Sequence, residues 1–123
     1  MDDNHMLNEY LKHLNESRTN EEVIQYQALN KGTQFFNQNR LKCDRYKDRY
    51  SKLECLAKLK ILEDKLIIKE IRSNMHKCGN KPDVKERCIK WLEQNIEVKE
   101  NNIKELQDEI NRKDITIKTW GIW

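Results

Sequence analysis

Glycine and proline are nearly missing from this chain: Gly32, Gly79, Gly121 and Pro82 are all there are in 123 residues. None of the four falls inside a periodic apolar segment, so each reads as punctuation between helices and none as a breaker within one. Phenylalanine is as scarce, with two, and β-branched residues are few outside one isoleucine stripe, which argues against sheets. The longest apolar run is three residues, as at Leu66, Ile67 and Ile68, far short of the roughly 20 that a membrane-crossing helix needs. Asp2, Asp3 and Glu9 in an N-terminus without an apolar run argue against a secretory signal and an acid-poor transit peptide.

What the chain does have is charge at helical spacing, with 37% charged and 37% apolar residues. That balance fits long, two-faced helices better than a thick globule, in one domain's worth of chain. The net charge of +3 is small but unevenly spread. Residues 1–22 hold six acids against two bases, and residues 40–60 hold eight bases against three acids. The simplest expectation is that the acidic arm lies near the basic stretch, within or between subunits.

The strongest pattern is in the last third, where Ile89, Ile96, Ile103, Ile110 and Ile117 recur every seventh residue. Three positions after each stand Leu92, Lys99, Leu106, Lys113 and Trp120, which makes a coiled-coil seam with Ile at a and mixed residues at d. Ahead of it, Cys78-Gly79-Asn80-Lys81-Pro82-Asp83 reads as a turn, with Gly79 past the end of one helix and Pro82 in the first turn of the next. From Thr33 to Cys78 no glycine or proline intervenes, so the pattern predicts one long helix.

Folding these two helices together about the turn sets Ile71 against Ile89, Ala57 against Ile103, Tyr50 against Ile110 and Cys43 against Ile117. Asp64 then comes within reach of Lys99, a polar pair that would set the register. Residues 1–31 are expected to form two short amphipathic helices. The first carries Leu7, Tyr10, Leu11 and Leu14; the second opens on a Thr19–Glu22 capping box, passes through Val23, Ile24, Tyr26 and Leu29, and ends at Gly32. The fold expected is therefore all-α: a long antiparallel, coiled-coil-like helical hairpin over 32–123, with its turn at 78–83, preceded by that N-terminal arm and assembling into a bundle.

A second stripe on the long helix, Cys55, Leu59, Leu62 and Leu66, lies off the seam and points outward. Together with Trp91 and Trp123 it is the expected partner-binding surface. A parallel homodimeric zipper through the isoleucine ladder is disfavoured by its flanks, because no lysine at g answers Glu93, Glu100 and Asp114 at e.

Cys78 and Cys88 have nine residues between them, and Cys43 and Cys55 have eleven. This resembles the twin-cysteine helical hairpins of the mitochondrial intermembrane space, in which two cysteines on each helix face two on its antiparallel neighbour. The resemblance implies an oxidised helical subunit of a mitochondrial complex. A continuous helix over 33–78 does not supply those cross-pairs, however, and would hold Cys43 and Cys55 about 18 Å apart. Reduced cysteines and a cytoplasmic or nuclear location are the expectation from the residues themselves.

His76, Cys78 and Cys88 match no common zinc spacing. The three histidines are dispersed, no nucleophile–base pair is recognisable, and there is no glycine-rich phosphate loop. The expected function is accordingly non-catalytic, without cofactor, metal or small-molecule substrate: a structural or adaptor subunit that binds protein partners or itself through helix faces. The alternative is a nucleic-acid-binding module using Arg40, Lys42, Arg45, Lys47, Arg49 and Lys52 with Tyr46 and Tyr50. Against that alternative, both tyrosines fall on the expected seam.

Overall fold

The computed structural model describes Glu9 and residues 19–120, apart from the side chains of residues 113–120. The expected first helix, with Leu7, Tyr10, Leu11 and Leu14, lies outside the described residues, as do the side chains of Ile117 and Trp120 and the whole of Trp123. The described chain is helical apart from its turns and contains no strand. It forms α1 (Asn20–Asp44), α2 (Arg49–Asn74), a 3-10 turn (Met75–Cys78) and α3 (Pro82–Trp120), which pack against one another. None of these helices is long and apolar enough to cross a membrane.

The single helix expected over 33–78 is in fact two. After Asp44 the Tyr46 N–H donates to the Cys43 carbonyl at 3.2 Å, which tightens and ends α1. Asp48 is extended, with φ −80° and ψ 131°, and its carboxylate accepts from the Ser51 N–H at 3.1 Å and from the Ser51 hydroxyl at 3.1 Å. This is an N-cap that starts α2 afresh in a new direction. The turn needs no positive φ, so it needs no glycine, and that is why the sequence carries no breaker to mark it.

The same bonds hold the Asp48 carboxyl below the usual carboxylate range: chiefly the Ser51 N–H, then the Ser51 hydroxyl, with the Tyr50 N–H adding and burial opposing. A carboxyl lowered in the folded state stabilises above its unfolded value of about 4, and the contribution is lost as the pH falls through the folded value. The melting-temperature gap between the native protein and Asp48→Asn is thus expected to close on acidification from neutral pH to about pH 2. An unchanged gap would show that the ionised cap does not hold the turn.

The break lets α1 fold back on α2. Lys31 on α1 pairs with Glu70 on α2 at 2.9 Å, and Cys43 is bonded to Cys55, so numbers rise on one helix as they fall on the other. The expectation that Gly32 ends a helix is overturned. This glycine is buried inside the 25-residue α1, where an added Cβ would stand 2.6 Å from Cγ1 and 2.8 Å from Cδ1 of Ile67. With Ala28 four residues earlier and 2% exposed, it forms a small-residue strip on which α2 lies close. The second short helix of the expected arm is therefore only the start of α1.

Helix α3 packs on the other side of α2 through its ladder. Leu92, Ile96 and Ile103 are buried, and Ile89, Leu106 and Ile110 are partly buried against the same cluster as Ile61, Ile68 and Ile71. The α2–α3 connection is made by Gly79, whose φ of 104° with ψ of 175° is a conformation open only to glycine. Arg72 meets Glu100 at 2.7 Å further along. Between α1 and α3, Gln25 donates to Asn95 at 2.9 Å and Arg87 stands 3.6 Å from Glu21.

The expectation of reduced cysteines is overturned: Cys43–Cys55 and Cys78–Cys88 are disulfides, with Cα atoms 5.4 and 5.7 Å apart, and no described cysteine is free. The break at 45–48 is the physical reason, because it brings together two residues that a continuous helix would separate. Each bond closes its own turn, unlike the cross-pairing of the twin-cysteine hairpins.

Candidate functional site

At the centre of the bundle, Asp64 is 0% exposed. Its Oδ1 stands 3.5 Å from Lys99 Nζ and 3.9 Å from Lys60 Nζ, and neither carboxylate oxygen accepts a hydrogen bond from the chain. Lys60 belongs to α2 like Asp64 itself, so among the described residues Lys99 is the one cation that α3 brings to this desolvated carboxylate, and slipping α2 past α3 would take it away. The seam residues Ile71 and Ala57 lie on the same helix, buried and half-buried respectively. Tyr50 does not belong to that seam. It is 61% exposed, and Tyr46 is 50% exposed, because α2 begins only at Arg49 and the two tyrosines flank the turn.

The expected outer stripe divides. Leu62 is 49% exposed, and Leu59 and Leu66 are half-buried, so these three remain partly open to solvent. Cys55 is tied into its disulfide, and half-buried Trp91 packs against the buried cluster. Two shallow grooves meet at Lys58 and Leu62. One is lined also by Tyr46 and Leu59, the other by Ile61, Asp108 and Ile110. The result is an apolar trough with a lysine on α2 and an aspartate on α3 at its borders.

The basic stretch occupies the α1–α2 turn and the helix ends beside it. Arg40, Lys42, Arg45, Lys47 and Arg49 are exposed and Lys52 is half-buried. Among the described residues, no carboxylate lies within ion-pair distance of any of the six. Helix α1 starts beside Cys78, whose carbonyl accepts from Asn20 Nδ2 at 3.3 Å, and its 25 residues carry the chain about 37 Å to the basic turn; the acidic arm before residue 19, Glu9 apart, lies outside the described residues. Glu21, in the first turn of α1, pairs with Arg87 at 3.6 Å.

Missed by sequence reasoning were Asp48, Gly32 and the two disulfides. Asp48 three residues before Ser51 was a capping signal, and the cysteine spacing was a signal for the bonds. No local signal marks Gly32 as a contact. Among the described residues no cluster of three or more His, Cys, Asp or Glu side chains is placed to hold a metal ion. Comparison with protein-family models, with curated proteins and with solved structures finds no match to this chain.

Proposed function

We propose that the protein is a non-catalytic helical scaffold or adaptor that acts by association through the outer face of α2, with a second copy of itself as the first partner. One observation carries this reading: Leu62 stands 49% exposed in the middle of a helix whose other two faces are already covered, at the meeting point of two apolar grooves. A lone exposed leucine is ordinary, but one flanked by half-buried Leu59 and Leu66 along a single stripe is an unpartnered helix face.

The borders of the trough favour a second copy over an unrelated chain. Lys58, which also pairs with Glu54 at 3.2 Å, and Asp108 border the trough with opposite charges, so a two-fold arrangement can set each lysine against the other protomer's aspartate while the leucines interdigitate. The two disulfides support a compartment in which such bonds persist, in preference to the cytoplasm or nucleus. The test is the particle mass by light scattering. The native protein is expected at twice the chain mass, and Leu62→Asp at the chain mass with its helical circular dichroism unchanged. A native protein that is monomeric at every concentration, or a Leu62→Asp variant that remains associated, removes the proposal.

A further inference from the structure

We propose that the α1–α2 turn is a binding site for single-stranded nucleic acid, with Arg40, Arg45, Lys47 and Arg49 contacting phosphates and Tyr46 and Tyr50 stacking on bases. This goes beyond the scaffold reading and uses an adjoining surface, which shares Tyr46 with the trough.

The linear stretch alone is ambiguous, since six bases in thirteen residues more often make a solvated helix face than a site. Three features of the folded chain change the balance. The chain reverses at 45–48, so bases from the last turns of α1, from the turn itself and from the first turns of α2 gather at one end of the bundle. The Cys43–Cys55 bond holds the two helix ends there with Cα atoms 5.4 Å apart, which keeps the charges together despite their repulsion. Finally, the tyrosines that a hairpin seam would have buried are 50% and 61% exposed within that cluster.

The two acids in the stretch weaken the field less than their number suggests. Asp48 is engaged as the cap of α2 through both bonds to Ser51, and Asp44 is within ion-pair range of none of the bases. With no described carboxylate neutralising the six bases, phosphates are the chemistry that completes the site.

Phosphates alone do not distinguish a nucleic acid from an anionic lipid surface or an acidic peptide; the tyrosines do. A phenol ring half in water gains from stacking on a base, and single strands present unpaired bases where a duplex does not. A side chain on a tight turn also reaches a flexible strand more readily than it reaches the inside of a groove.

The experiment is fluorescence anisotropy with a labelled oligo-dT 20-mer at low salt, followed by a salt titration. Engaging about four phosphates is expected to give a slope of log affinity against log salt of about −3. Arg45→Glu with Arg49→Glu is expected to weaken binding at least about tenfold. Tyr46→Ala with Tyr50→Ala is expected to weaken the single strand about tenfold or more while leaving a duplex of the same length unaffected. Lys85→Glu with Lys90→Glu, the same charge change on the far part of α3, serves as the control and is expected to have little effect.

Absence of binding at low salt overturns the proposal, as does equal loss in the control. Equal affinity for poly-glutamate or for vesicles containing phosphatidylserine assigns the turn to acidic peptides or membranes and overturns it as well. Because Leu62→Asp reads only association, failure of the scaffold reading and failure of this one are separately visible.

Discussion

Leucine in place of Gly32 is expected to cost about 3 kcal/mol of folding stability, an unusual loss for a glycine inside a helix. In an exposed helix, replacing glycine by a better helix former raises stability by up to about 1 kcal/mol. At Gly32 that gain is overwhelmed, because the first carbon of any side chain already stands 2.6 Å from Ile67, which is itself 1% exposed. Ile67 cannot swing aside without disturbing Ile24 and Ala28 in the same cluster. Only separation of α1 from α2 relieves the contact, and that gives up the burial of several large side chains at about 1.5–3 kcal/mol each.

Urea denaturation of Gly32→Leu measures the loss. Combining it with Ile67→Ala should recover part of it, since the cavity of one change accepts the bulk of the other, and the two are expected to be strongly non-additive. A Gly32→Leu protein as stable as the native one would mean that α1 and α2 do not approach as closely as this.

The second large effect is expected at Lys99. Changing it to methionine keeps the length and apolar stem of the side chain but leaves Asp64 facing only Lys60, at 3.9 Å. Asp64 is 0% exposed and accepts no hydrogen bond, so its charge has little else to offset desolvation. The expected loss is about 3 kcal/mol, at the lower end for a broken buried pair because Lys99 itself is partly in water.

The companion variant, Asp64→Leu with Lys99→Leu, should be as stable as the native protein or more so, since apolar replacements of such pairs escape the desolvation cost altogether. Together these results would identify the pair as a choice of register and not a source of stability. A Lys99→Met loss below about 1 kcal/mol would mean that Asp64 is satisfied by something other than Lys99.

The helical character of the chain could be read from its shortages of glycine and proline and from the seven-residue return of isoleucine. These are local and periodic signals. The turn after Cys78 was readable for a related reason: Gly79 occupies a backbone conformation that other residues resist, so the chain has to announce it. The turn at 45–48 has no such requirement. Its residues sit in ordinary helical or extended conformations, and Asp48 does with a side-chain cap what a glycine would otherwise do.

Missing that turn made Cys43 and Cys55 look too far apart to bond and set Tyr46 and Tyr50 in a seam where they are not found. Gly32 was misread in the opposite direction. Glycine is a natural stop in a local reading, whereas here it answers the bulk of Ile67, which is 35 positions away in the sequence. The candidate sites were therefore visible as sets of residues, with Leu62 and Leu66 on one stripe and the six bases in another stretch. Their exposure depended on a reversal that no single position declared.

The two disulfides also bear on how the chain reaches this structure. Four cysteines can pair in three ways, and the pairing found joins each cysteine to its nearest neighbour, across separations of 12 and 10 residues. Each alternative pairing contains no contact shorter than the 23 residues from Cys55 to Cys78, and the entropy of closing a loop rises with its length. The correct bonds are thus also the ones that chance encounter favours in the unfolded chain. Oxidation can proceed turn by turn, before the helices have found one another, and loop closure makes mispaired bonds the less frequent outcome.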